Sequence, residues 1–397
     1  MLRLTFLAPG QPDQRKEIKM LIKNALVYNT RKKNFDPGDI LIENGKIIHI
    51  GKVSVSGGEV FDAEGRRIVP GLVDIHSHGI AGFDFLEVDK LALGAMAKAY
   101  AAHGVTSVMP TLASAPLDVF YRAIGEVLSF EPEEGMCGFI GVHLEGRYLN
   151  PEKKGAHAPQ LLSRLDPNEL DAPVFRMCPR LHITAAFELD RDGAFAKKAK
   201  SIGATLALGH TNATYALART AEEYGVTVYT HLYNTMPPLH HREGGAVCAA
   251  LIGDCAVEII CDGMHITPEM ISLTHKVKGE DKVVLVSDSM EATGCADGNY
   301  SIAGNPVVVK DGRAVTLSGA LAGSTLTLET AVRNYMKFCS ISLEEAILAA
   351  TANPARAVGA ADVCGSIEEG RQADLIIVSD GESFNIDRVM AKGVFIK

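Results

Sequence analysis

The sequence predicts an α/β protein: a (β/α)8 TIM-like barrel with a small β-sandwich domain formed by both chain ends. Two observations carry this. Eight β-rich runs recur through the middle of the chain, most of them separated by a helix-like stretch. Strands that alternate with helices imply a parallel sheet, and eight of them imply a closed barrel. The segments before and after that region read instead as short strands joined by tight polar turns.

At the start, residues 20–28 are apolar-rich, and Asn44-Gly45 is a strong hairpin signal between 39–43 and 46–50. Near the end, 373–378 and 388–396 flank a polar turn through Asp380-Gly381. Residues 20–67 plus 365–397 are therefore assigned to the small β-domain and 68–364 to the barrel. Residues 1–19 precede the strand pattern and read as an extension expected to be poorly ordered.

The barrel runs are 68–78, 105–111, 138–145, 180–186, 204–210, 226–231, 257–262 and 282–288, with helices over 91–103, 117–128, 194–201 and 213–224. Residues 299–317 read as an inserted hairpin or two turning at Asp311-Gly312, and helix returns over 325–338 and 343–350. An open doubly wound sheet would carry a G-x-G-x-x-G loop after its first strand. Pro70-Gly71-Leu72 and His78-Gly79 do not form one.

Composition narrows the function classes. Of 397 residues, 47% are hydrophobic and 22% charged, an ordinary globular balance. A net charge of −9 argues against nucleic-acid or anionic-membrane partners. No apolar stretch approaches the roughly 18 residues of a membrane span. The eight cysteines form no C-x-x-C pair, which disfavours a thiolate zinc site and fits a reducing, cytoplasmic setting.

The decisive pattern is where metal-ligand residue types fall. The first run ends in His76-Ser77-His78, the third in Glu145, the fifth in His210, the sixth in His231 and the eighth in Asp288. In a barrel those ends converge on one face, where active sites are built. His76 and His78 are two apart on a strand and leave the same face. Imidazole and carboxylate donors suit a divalent ion that activates water, and Asp288 can take the proton of that water and pass it to a leaving amine. Each residue alone has a plainer reading as a structural strand-end or helix-cap side chain; five such ends on one face do not. His103 reads as a helix C-cap, His49, His182 and His275 as structural, and His143 as support or barrel interior.

The segments PGLVDIHSHG (70–79), HLEGRYLNPEKKGAHAP (143–159), GHTNAT (209–214), THLYNTMPPLHHREGG (230–245), DGMH (262–265), Val286–Asp288 and LAGSTL (321–326) resemble the N-acetylglucosamine-6-phosphate deacetylases of the amidohydrolase superfamily. The likeness runs from about Met20 to the C-terminus. It implies hydrolysis of N-acetyl-D-glucosamine 6-phosphate to D-glucosamine 6-phosphate and acetate. It also implies that Glu145, His210 and His231 bind the main metal ion, with Asp288 as catalytic acid/base. Ala156, His157, Asn234, Thr235, Arg242, His265 and the backbone of Leu321, Ala322 and Gly323 would line the substrate site. The residue matching Arg242 typically reaches a neighbouring subunit's substrate phosphate, which implies a homodimer. One or two divalent ions are expected, zinc or iron foremost, because His76 and His78 are both kept beside Glu145 and Asp288. Three positions depart from the family pattern: Arg147 stands where Pro is usual, Gly244-Gly245 where Pro-Gly is usual, and Cys261 where a small residue is common. They bear on sugar preference more than on the reaction. The rival readings are N-acetylgalactosamine-6-phosphate deacetylation, another metal-dependent amidohydrolase such as an N-acyl-D-amino acid deacylase, and a metal-free scaffold barrel.

Overall fold

The structure is a computed structural model describing residues 19–53, 57–302, 304–380 and 383–396. The extension read over 1–19 lies outside the described residues apart from Lys19, which opens the first strand, and Gly381 of the expected C-terminal turn lies outside them too.

Eight parallel strands form the barrel: β1 (Leu72–Ser77), β2 (Val105–Ala113), β3 (Val142–Glu145), β4 (Leu181–Ala185), β5 (Thr205–Leu208), β6 (Val226–Tyr229), β7 (Ala256–Ile260) and β8 (Val283–Val286). Each pairs with the next in chain order. Closure between β8 and β1 is made just past the β8 ladder, by the Ser77–Ser289 bridge and the Asp288 N–H donating to the His76 carbonyl at 2.9 Å. Helices including α1 (Lys90–Ala102), α2 (Leu117–Ser129), α3 (Tyr215–Tyr224) and α4 (Leu328–Cys339) cover the strands. Their apolar faces and the strands form one continuous buried core. His103 is the C-cap of α1, as its place before Gly104 suggests.

The run expected over 68–78 is two strands. Arg67–Pro70 pairs antiparallel with Leu375–Asp380 in the small domain, and only after Gly71 does the chain enter the barrel. Gly71 is required there, because an added Cβ would lie 2.1 Å from the Thr106 hydroxyl oxygen.

Both chain ends do meet, in one eight-stranded sheet. Its order runs Val394–Phe395, Asn385–Ala391, Leu375–Asp380, Arg67–Pro70, Lys19–Asn29, Asn34–Glu43, Lys46–Gly51, with Glu59–Asp62 paired to the side of Lys19–Asn29. A bulge between Ile22 and Ala25 divides the first strand, whose halves pair with different parallel neighbours. Ile22, Ile40, Ile42, Ile47, Ile68, Leu375 and Ile377 pack into a core separate from that of the barrel. The inserted segment is a three-stranded antiparallel sheet, Gly298–Ile302, Asn305–Lys310 and Arg313–Thr316, which lies over the barrel mouth. Asn305 fastens it there by donating from Nδ2 to the Ala156 carbonyl at 2.8 Å.

Candidate active site and metal centre

Parallel ladders stop where the backbone leaves the β region, and here they stop just before the residues of interest. His210, His231 and Asp288 each lie two residues past a strand end with positive φ of 47°, 28° and 49°. Non-glycine residues pay a steric penalty in that region, so three at one barrel mouth mark strain held by the surrounding structure. Each turn aims its side chain into the barrel axis instead of along the next strand.

Glu145, at the end of β3, is the centre of the constellation. Its Oε2 lies 3.3 Å from His76 Nε2 and 3.0 Å from His78 Nε2. Asp288 Oδ1 closes that side at 3.5 Å from His76 Nε2 and 3.2 Å from His78 Nε2. Glu145 Oε1 lies 3.0 Å from His210 Nε2 and 2.8 Å from His231 Nε2. All six residues are buried.

Hydrogen bonds behind two of the imidazoles set their tautomers. His210 Nδ1 lies 2.8 Å from the Lys153 carbonyl oxygen, which can only accept, so the proton is on Nδ1 and a lone pair on Nε2 faces Glu145. His76 Nδ1 likewise donates to Glu258 Oε2 at 3.0 Å, leaving Nε2 buried with no hydrogen-bond partner among the described residues. Nitrogen lone pairs and carboxylate oxygens thus converge on each other, which is unfavourable unless a cation lies between them. The electrostatics agree. Burial opposes protonation of His76 and His78, yet Glu145 and Asp288 hold His76 well above the ordinary imidazole value and His78 at about 9. Burial likewise opposes ionisation of Glu145, but His76, His210 and His231 keep its carboxyl well below the usual range. The cluster seeks positive charge. Its imidazole and carboxylate donors, without thiolate, fit a divalent metal ion, and two groups share Glu145: His76, His78 and Asp288 on one side, His157 and His210 on the other.

His157 differs in kind. Its Nδ1 accepts the Ser114 backbone N–H at 3.2 Å, so its proton is on Nε2, which faces the site 3.8 Å from Glu145 Oε2. Burial, then the neighbouring His210, push its pKa down to about 3. Its ring is neutral, and it lies within a donor group formed with Glu145 and His210. His265 is fixed through Nδ1 to Asp262 Oδ2 at 2.6 Å.

These groups border a cavity of about 250 Å³. Of the sequence-predicted residues, His78, Glu145, Ala156, His157, His210, His231, Asn234, Thr235, His265, Asp288, Leu321 and Gly323 line it. His76 sits behind them, and Ala322 is fully buried in the small core beneath the inserted sheet. Arg242 is exposed and lines a neighbouring cleft with Tyr215, Pro237 and His240. No Lys or Arg is among the residues lining the metal-site cavity.

Sequence reasoning missed Gly155, Ile260, Ile302 and Ala320 in the lining, and Glu258 and Asp74 behind it. Glu258 carried a signal, an acidic residue inside an otherwise apolar strand. His143 is barrel interior, its ring nitrogens held by Thr111 and Thr184. None of the three departures lines the cavity. Arg147 turns away to pair with Glu169 at 3.2 Å, and Cys261 is wholly buried. Gly244 has φ −63°, a value proline also adopts, whereas Gly245 at φ +62° needs to be glycine.

Residues 67–396 match the model of the amidohydrolase family. An N-acetylgalactosamine-6-phosphate deacetylase of Escherichia coli O157:H7 is 34% identical over 351 residues, 87% of this chain and 92% of that protein. An N-acetylglucosamine-6-phosphate deacetylase of Vibrio furnissii is 34% identical over 331 residues, 82% of each chain. The solved N-acetylglucosamine-6-phosphate deacetylase of Pasteurella multocida superposes with a TM-score of 0.86 at 28% identity, covering 95% of this chain and 99% of that one. A mutant enzyme from Mycobacterium smegmatis, solved in complex with N-acetyl-D-glucosamine-6-phosphate, superposes at 0.84 with 28% identity over 96% and 99% of the two chains. The chain belongs to the amidohydrolase family, and within it to the N-acetylglucosamine-6-phosphate deacetylases that its motifs resemble.

Proposed function

We propose that the chain hydrolyses the acetamide of N-acetyl-D-glucosamine 6-phosphate, releasing D-glucosamine 6-phosphate and acetate. The observation that carries this is Glu145 dividing its two carboxylate oxygens between two sets of imidazoles, with Asp288 beside it at the cavity floor. Bound there, a divalent ion would polarise the acetyl carbonyl and acidify a water molecule. The donor set suits zinc or ferrous iron.

The remaining steps belong to the chain's own groups. Asp288 accepts the proton of the attacking water and returns it to the sugar nitrogen as the C–N bond breaks. Burial works against its ionisation, but His76 and His78 keep its carboxyl below the usual range, ready as a base. His157 Nε2–H donates to the carbonyl oxygen as negative charge develops there. Asn234, Thr235, His265, Ala156 and the Leu321–Gly323 backbone orient the sugar. Because no guanidinium or ammonium lines the cavity and Arg242 is exposed beside it, we assign the phosphate to the partner subunit's Arg242 in a homodimer. Eight free thiols fit a cytoplasmic enzyme.

The test is amine release from N-acetylglucosamine 6-phosphate, its galactosamine epimer and unphosphorylated N-acetylglucosamine, with and without chelator. Chelator-sensitive turnover of the phosphorylated glucosamine compound is expected. Preference for the epimer would favour the activity carried by the Escherichia coli relative instead. Inertness of the metal-loaded protein towards all three would overturn the assignment.

A further inference from the structure

Glu258 lies on β7, fully buried inside the barrel and facing the underside of the metal cluster. One of its oxygens does two things. Oε2 accepts the His76 Nδ1–H at 3.0 Å and the backbone N–H of His231 at 3.2 Å. Its Oε1 is buried with no hydrogen-bond partner among the described residues. A half-satisfied carboxylate inside a barrel is costly, and no Lys or Arg within the described residues pairs with it. His76, hydrogen-bonded to it, and the nearby His182 are the imidazoles through which positive charge can offset that cost.

We infer that Glu258 is a positioning residue for the metal centre, holding the cation position formed by His76, His78 and Asp288. Its first action is on the tautomer: accepting the Nδ1 proton directs the His76 Nε2 lone pair towards Glu145 and Asp288. Its second is charge. Glu145 and Asp288 alone undercompensate two divalent ions, and Glu258 adds a further negative charge one imidazole away. Its third is geometric. Oε2 also holds the backbone of His231, whose left-handed turn aims that ring at the opposite position. The His210 side has its own anchor in the Lys153 carbonyl and does not depend on the Glu258 charge. Removing that charge should therefore affect the two positions unequally. The inference rests on the metal-dependent reading of the site.

The experiment is a cobalt(II) titration of metal-stripped protein, followed by bound-metal stoichiometry and the visible absorption of the ion. The wild-type chain is expected to take up two equivalents. In Glu258→Gln, of nearly equal volume, the first equivalent should bind as before and the second about 10–100-fold more weakly. Glu258→Asp keeps the charge at shorter reach and should restore part of that affinity. A merely structural role would lower the melting temperature of the stripped variant without separating the two equivalents. Unchanged binding of both equivalents to Glu258→Gln would overturn the inference. Should that variant not fold, wild-type affinity of both equivalents in Glu258→Asp would overturn it. Uptake of one equivalent by the wild-type chain also overturns it, together with the second cation position. The deacetylase assignment would survive, because amine release tests it separately.

Discussion

The barrel mouth and the small sheet solve the problem of burial in opposite ways. In the small sheet the buried side chains are almost all aliphatic, and left-handed backbone falls at turn residues such as Asn44 and Gly45. Local preference and tertiary environment agree there. At the mouth, left-handed backbone falls on His210, His231 and Asp288, and buried acceptors face one another. Local preference loses, and neighbours from other strands impose the arrangement. The small sheet obeys local rules and the mouth breaks them, as expected when a protein departs from those rules at its site.

The sharpest test of that division is Asp288→Asn. It should lower kcat by about 10²–10⁴-fold, the usual worth of a positioned acid/base, while the ion at the Glu145, His210 and His231 position is retained. Retained turnover would sink the assignment of Asp288. The opposite behaviour is expected of Ile377→Ala, which leaves a cavity in the small-sheet core. It should cost about 2–5 kcal/mol of stability by denaturant melting while kcat per folded molecule stays unchanged. A large loss of kcat at full folding would show that the sheet shapes the site. The smallest effect is set for Asn44→Ala, at φ 50° in the turn between Asn34–Glu43 and Lys46–Gly51. Left-handed alanine should cost about 1 kcal/mol, since it lacks the local hydrogen bonding that lets asparagine tolerate this conformation. No measurable change would mean that the turn relaxes.

Much of this was legible from residue order. The Asn44-Gly45 hairpin, the alternation of strands and helices and the placing of His76, His78, Glu145, His210, His231 and Asp288 at strand ends follow from periodicity and turn chemistry. Strand ends were overestimated by about two residues at His210, His231 and Asp288, because an apolar run does not show where φ changes sign. The join at Gly71 reads as continuous strand because an apolar run does not show where the chain passes from one sheet to another.

Other features had no local signature. His157 and His210 are both histidines beside loops, yet one presents a proton and the other a lone pair to the same glutamate. Arg147, in a site motif, turns out of the cavity because Glu169, on a later loop, captures it.

The sequence by itself determined the barrel, the apposition of the chain ends and the residue types able to hold a divalent ion. Those depend on periodicity and on the rule that parallel strands end on one face. Tertiary structure alone decided which nitrogen of His76, His157 and His210 carries a proton, which oxygen of Glu145 faces which pair, and that Glu258 accepts from His76. Hydrogen bonding has direction, and its direction is set by partners tens to hundreds of residues away.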